Sequence, residues 1–323
     1  QVFQLQQPQD KVSVTAGDTL TLTCTTTGYG PPGPVRWLKG WGSENKTIYD
    51  GQTGFSPRVT TLVNGSNNNF SIHIRDVQPE DAGTYYCVKY RRAPGRGLEV
   101  FAHGNGTEVS VYAKPSQPVV SGPSRRAMPR ESVSFNCTTR GFFPEDIRVR
   151  WLKDKAPISA QQPQISPGRT LSSYKLRSTV TLTLQEADVR SQLLCQVQHL
   201  TLLAPLNSTY QLGQALRVPP RVRVFTDPKS SIEVNKTVSI ICLLEGFYPA
   251  DVAVSWLENR TEMKVENMSQ AEETPEGLFK LRSLLEVQAT EQRNGSVFTC
   301  RVVHDGQKPV SRMLPLWITV PTK

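Results

Sequence analysis

The sequence predicts an all-β protein built from three tandem β-sandwiches. Three observations carry that prediction. Six cysteines fall into evenly spaced pairs, a tryptophan follows the first cysteine of each pair at a fixed distance, and one stretch of chain is written twice at an offset of 105 residues. A chain of 323 residues is too long for one ordinary core and long enough for two or three.

The cysteines stand at 24, 87, 137, 195, 242 and 300. Taken consecutively, the gaps within pairs are 63, 58 and 58, and Trp37, Trp151 and Trp256 follow the first members by 13, 14 and 14 residues. This selects Cys24–Cys87, Cys137–Cys195 and Cys242–Cys300. A bridge of that span joins the two sheets of a sandwich across a gap of about 10 Å, with the tryptophan packed against the sulfurs in the immunoglobulin-like manner. Each closed loop is worth roughly 4 kcal/mol in the chain-entropy account. Neither a C-x-x-C motif nor paired histidines at ligand distance occur, so the thiols do not read as a metal site. Disulfides place the chain in an oxidising compartment, extracellular or luminal. Ten N-x-S/T sequons agree, at Asn45, Asn64, Asn69, Asn105, Asn136, Asn207, Asn235, Asn259, Asn267 and Asn294. Asn136 precedes Cys137, so strand alternation turns it outward if the cysteine faces in.

The repeat defines the second and third domains, expected at 114–218 and 219–323. "GFFPEDIRVRWLKD" (141–154) recurs as "GFYPADVAVSWLEN" (246–259), and Cys137, Trp151, Cys195 and His199 have counterparts at Cys242, Trp256, Cys300 and His304. "SVSFNC" turns Val133, Phe135 and Cys137 inward, and "STVTLTL" does the same with Val180, Leu182 and Leu184. Pro144 and Pro249 are expected to stop strand pairing before the tryptophan strand begins.

The first domain, expected at 1–113, is of another make. "DAGTYYC" puts Tyr85 two residues before Cys87, the tyrosine-corner position, where the later copies have Leu193 and Phe298. Its longer cysteine interval leaves room for additional strands, the variable-type (V-set) pattern. Arg58 and Asp81 are expected to pair at its lower end, and "GNGTEVSV" (104–111) to form a glycine-permitted bulge in the last strand. Pro-rich joints, "AKPSQPVVSGP" (113–123) and "RVPPRV" (217–222), are too short and stiff for loose tethers, which points to a semi-rigid rod with the V-set domain at its tip.

Composition excludes several functions. Pro (24) and Gly (22) make up about a seventh of the chain, which suits a loop-rich fold and not a disordered one. The net charge of +9 is dispersed, with no Lys/Arg block interleaved with aromatics. That argues for attraction to acidic protein or glycan surfaces and against nucleic acid. No run of eighteen apolar residues and no basic-plus-apolar leader occur, so any signal and membrane anchor are expected outside this sequence. No G-x-S-x-G elbow, H-E-x-x-H or Walker loop appears, so neither an enzyme nor a cofactor is expected. His199 and His304 share a repeat position and read as structural, His73 as solvated, and His103 as isolated.

Recognition is expected at the loop end of the V-set domain. The loops there are "GYGPPGP" (28–34), "DGQTGFS" (50–56), "NGSNNN" (64–69) and "YRRAPGRGLEVF" (90–101). Tyr29, Phe55, Arg91, Arg92 and Arg96 supply the aromatic and guanidinium groups that dominate interface hot spots.

The order V-set, C1-set, C1-set, with "DAGTYYCVK" (81–89), "PRVTT" (57–61), "AKPSQPVVSGP" (113–123) and "HDGQ" (304–307), resembles the ectodomain of the signal-regulatory proteins, paired immune receptors of myeloid cells and lymphocytes. The resemblance covers the whole chain. It implies a monomeric ectodomain of a single-pass membrane protein, outside the plasma membrane, that binds integrin-associated protein or a similar immunoglobulin-like surface ligand and regulates phagocytosis or leukocyte adhesion and signalling. Carried over, the ligand-binding candidates are Tyr29, Gly30, Pro31 and Pro32; Gly51, Gln52, Thr53 and Phe55; Asn67 and Asn68; and Arg91, Arg92, Arg96 and Glu99. The 90–101 loop is longer and more basic than the family's usual form, and the 64–69 loop shorter. The alternatives are an antigen-receptor-like or butyrophilin-like chain pairing through its V domain, or a secreted glycan-binding protein. Side-by-side pairing usually uses Gln three residues after the first tryptophan, where this chain has Gly40.

Overall fold

A computed structural model of the chain describes residues 1–51, 56–169, 173–227, 229, 232–265 and 269–319. Three apolar clusters form, one around each disulfide: Cys24–Cys87, Cys137–Cys195 and Cys242–Cys300. Each encloses its tryptophan, and each indole N–H is satisfied. Trp37 donates to the Phe70 carbonyl (2.7 Å), Trp151 to Ser178 Oγ (2.8 Å) and Trp256 to Ser283 Oγ (2.9 Å).

In the first sandwich one sheet runs, in spatial order, Lys11–Thr15, Thr107–Tyr112, Gly83–Ala93, Val35–Lys39 and Lys46–Tyr49, with Gly97–His103 folded back on Gly83–Ala93. Leu20–Leu22, Ile72–Ile74 and Val59–Thr61 form the facing sheet. Lys46–Tyr49 is one of the additional strands the long cysteine interval allows. The expected glycine bulge is present at Gly104–Gly106, where the four steps from His103 to Thr107 stand opposite the three from Val88 to Tyr85, and another register shift falls earlier, between Val100 and Ala102. Beyond the bulge, Thr107–Tyr112 resumes antiparallel pairing with Gly83–Ala93 and also pairs in parallel with Lys11–Thr15.

The 105-residue repeat persists in three dimensions. The second and third sandwiches are each two four-stranded sheets, Ser132–Phe142 against Tyr174–Thr183 matching Thr237–Phe247 against Phe279–Gln288. Val133, Phe135, Cys137, Val180 and Leu184 are buried and Leu182 half-buried, as alternation requires. His199 and His304 are buried and donate from Nε2 to the Pro144 and Pro249 carbonyls (2.9 and 2.8 Å), which accounts for their equivalence. Pairing stops at the prolines as expected, residues 144–147 and 249–251 carrying no strand. Phe143 and Tyr248, one residue before them, exchange backbone hydrogen bonds with Ala113 and Val218, so each strand end also grips the preceding joint.

One pair is inverted between the copies. Lys153 Nζ meets Asp188 at 2.8 Å in the second sandwich, and the equivalent positions hold Glu258 and Arg293 at 3.2 Å in the third.

Candidate functional site

The tip of the first sandwich is assembled by backbone and by glycine. Gly28 has φ +79, and a Cβ there would lie 2.4 Å from the Val2 carbonyl. A Cβ on Gly33 would lie 2.1 Å from the Tyr90 carbonyl. Only glycine admits both approaches, so the 28–34 loop is wedged between the N-terminal residues and the 90–101 segment. Val2 bridges Tyr29, Tyr90 N–H donates to the Pro34 carbonyl (2.9 Å), and Lys89 Nζ donates to the Gly33 carbonyl (2.5 Å). Burial lowers the Lys89 pKa.

On this frame Tyr29 stands 91% exposed. Gly30 covers the Phe3 ring, Pro31 is half-buried and Pro32 exposed. In the 64–69 loop Ser66 Oγ takes the Asn68 and Asn69 N–H groups, and the Asn68 carbonyl receives Thr26 N–H (2.8 Å), leaving Asn67 and Asn68 exposed on a braced turn. Gly51 is exposed at φ +84, while Gln52, Thr53 and Phe55 lie outside the described residues. A cleft of about 260 Å³ lined by Pro34, Gly51, Asn64 and Asn69, among others, joins three of the loops.

The 90–101 segment is a loop only at its end. Gly83–Ala93 and Gly97–His103 stay paired as far as Ala93 and Gly97, so the turn is Pro94–Arg96. Arg91 and Arg92 therefore point to opposite faces of a ribbon. Arg91 pairs with Glu99 (2.5 Å) and lies on Phe101, which itself contacts Phe3 (5.5 Å). Arg92 is exposed opposite Leu98, and Arg96 is exposed in the turn.

Sequence reasoning missed two contributors. Val2 (83% exposed) and Phe3 belong to the tip, and the glycines at 28 and 30 were the available signal for a close neighbour. His103 is not isolated: its ring packs 4.8 Å from Trp41, which also lies on Tyr86 (5.1 Å). His73 is half-buried beside Thr21 Oγ1 (3.0 Å).

The other sequence-derived features fall as follows. Arg58 and Asp81 meet through two hydrogen bonds (2.9 and 3.1 Å), and Tyr85 Oη donates to the Asp81 carbonyl (2.6 Å). Asn136 is half-buried, its Oδ1 accepting from Thr179 Oγ1 (2.7 Å). Asn45, Asn64, Asn105, Asn207, Asn235, Asn259 and Asn294 are exposed and Asn69 half-buried, while Asn267 lies outside the described residues. No helix among the described residues is long and apolar enough to cross a membrane.

Comparison with known proteins agrees with this architecture. Residues 6–112 match the immunoglobulin V-set domain, and 119–202 and 222–307 the immunoglobulin C1-set domain. Human signal-regulatory protein beta-1 is 40% identical over 325 residues, which covers 99% of this chain and 81% of that protein. Bovine tyrosine-protein phosphatase non-receptor type substrate 1 is 40% identical over 326 residues, covering 99% of this chain, and the mouse protein of that name 37% over 315 residues, covering 96%. The chain spans 63% and 61% of those two relatives' lengths. Fold and relatives together define a cell-surface immune receptor of the immunoglobulin superfamily, not an enzyme. Within that class, the chain belongs to the signal-regulatory protein family.

Proposed function

We propose that the V-set tip binds an immunoglobulin-like protein on an opposing cell, integrin-associated protein being the ligand the family implies, and that this contact regulates phagocytosis or leukocyte adhesion and signalling. The observation that carries the reading is Tyr29: a large aromatic side chain held almost wholly in solvent on a loop fixed from both sides by close backbone contacts. A preorganised aromatic anchor binds at low conformational cost. Arg92 and Arg96 add exposed guanidinium groups on the neighbouring 90–101 segment. Pairing through the sheet face has less behind it: Trp41 is exposed there over Tyr86 and His103, but Gly40 stands where side-by-side pairing usually uses Gln.

Surface plasmon resonance against same-species integrin-associated protein tests this. Tyr29→Ala and Arg92→Ala are each expected to weaken binding by about tenfold or more, with the melting temperature unchanged. If the intact glycosylated chain does not bind, that ligand is removed. If it binds and both variants bind as well as the parent, the tip assignment fails.

A further inference from the structure

A second surface stands apart from the tip. On the outer face of the second sandwich, the sheet containing Ser132–Phe142 and Tyr174–Thr183 carries a groove of about 800 Å³. A second groove of about 700 Å³ adjoins it, sharing Ser116, Arg140 and Lys175. Lys114, Arg140, Arg169, Lys175 and Arg177 line the two, and all are exposed. No lining residue is acidic, and none of these cations forms an ion pair among the described residues.

Arg140 and Lys175 are direct cross-strand partners. Like charges in that position cost stability, and the third sandwich shows that the fold does not require them. There, 105 residues on, Glu245 replaces Arg140 opposite Lys280, and Glu272 faces Lys280 from the edge strand where the second sandwich has Ser166 opposite Lys175. In one copy the lysine has a carboxylate at the facing position on both sides, Glu245 also pairing with Arg223 (3.3 Å), and in the other it faces Arg140 and Ser166. A cluster kept at a cost and without an internal partner calls for an external anion.

The lining narrows the anion. Apart from Val119, Pro167, the buried Leu176 and two glycines, it is made of hydroxyl, amide and cationic side chains with no aromatic ring. Protein partners are anchored by aromatic or apolar groups in desolvated pockets, and single-stranded nucleic acid needs stacking platforms. A hydrated linear chain carrying sulfates at intervals needs neither. We propose that this face is a polyanion site that takes a sulfated glycosaminoglycan. The proposal does not depend on the tip reading.

The test is binding of the intact glycosylated chain to a size-defined heparin oligosaccharide at ~0.15 M salt. The variants are Arg140→Glu and Arg140→Glu/Arg177→Ser, with Arg91→Ser/Arg92→Ser at the tip as control. Arg140→Glu copies the third sandwich and places a carboxylate opposite Lys175, so its melting temperature is expected to hold. The double variant is expected to weaken binding about tenfold and to flatten the slope of log affinity against log salt by about two, while the tip control binds as the parent does. Three outcomes overturn the proposal. The loss could follow the tip control alone. Polyglutamate could compete as well as heparin, which would make the face a dock for acidic protein. Binding could appear only after the N-glycans are removed, which would mean that sugar on Asn136 covers the groove.

Discussion

Asp81 accepts from Arg58 and from the Gln78 N–H (2.8 Å), and its own carbonyl takes the Tyr85 hydroxyl. Burial acts to raise its pKa, but the hydrogen bonds from Arg58 and Gln78 and the charges of Arg58 and Lys39 outweigh it and hold the carboxyl below its ordinary value. A lowered folded pKa means stability that is present above the unfolded value, near 3.9, and lost as pH falls through the folded one. Acid unfolding of the first domain should therefore steepen below about pH 4. Asp81→Asn should remove that dependence and lower the melting temperature at pH 7 by a few degrees, as followed by differential scanning calorimetry. The pair and the tyrosine corner were legible in the sequence because both sit in short local motifs. Phe3 against Phe101 and His103 against Trp41 were not, because each joins segments that only the closed sandwich brings together.

At the scale of elements, alternation and the repeat made most strands readable, and the tryptophans marked the cores. Trp151→Ala would remove a fully buried indole and strand the Ser178 hydroxyl. It should cost its own domain about 3–5 kcal/mol, seen in denaturant titration as early loss of that domain while the first domain's transition stays in place. The 90–101 segment was misread as a loop because Arg91, Arg92 and Ala93 lack the apolar alternation that signals a half-buried strand. The ribbon stands beyond the core, so its strands have no buried face to advertise. The Pro94-Gly95 turn and Gly97 (φ +78) were the cue to a hairpin. The tip was thus legible in membership and not in geometry: the sequence could name Arg91 and Arg92 but not set them on opposite faces.

Over the whole molecule the two joints share one device and differ in what surrounds it. Ala113 with Phe143 and Val218 with Tyr248 form the same backbone bridge. Around the second, Arg217 pairs with Asp305 (2.9 Å), Arg126 reaches Asp305 and stacks on Tyr248, and Arg190 bonds the Pro275 carbonyl across the boundary. Asp305→Ala should remove both ion pairs, leaving Arg126 on the Gly213 and Leu216 carbonyls. Small-angle scattering is expected to report a wider spread of angles between the second and third domains, with the third domain's melting temperature lowered by a few degrees. Unchanged scattering would mean the bridge alone holds the joint. The inverted pair, Lys153–Asp188 against Glu258–Arg293, has its own bearing on assembly. Two nascent sandwiches of one repeat, tethered side by side, invite strand exchange. A hybrid would press Lys153 on Arg293 or Glu258 on Asp188 in half-buried surroundings, a repulsion that sends each strand home to its own half of the duplication.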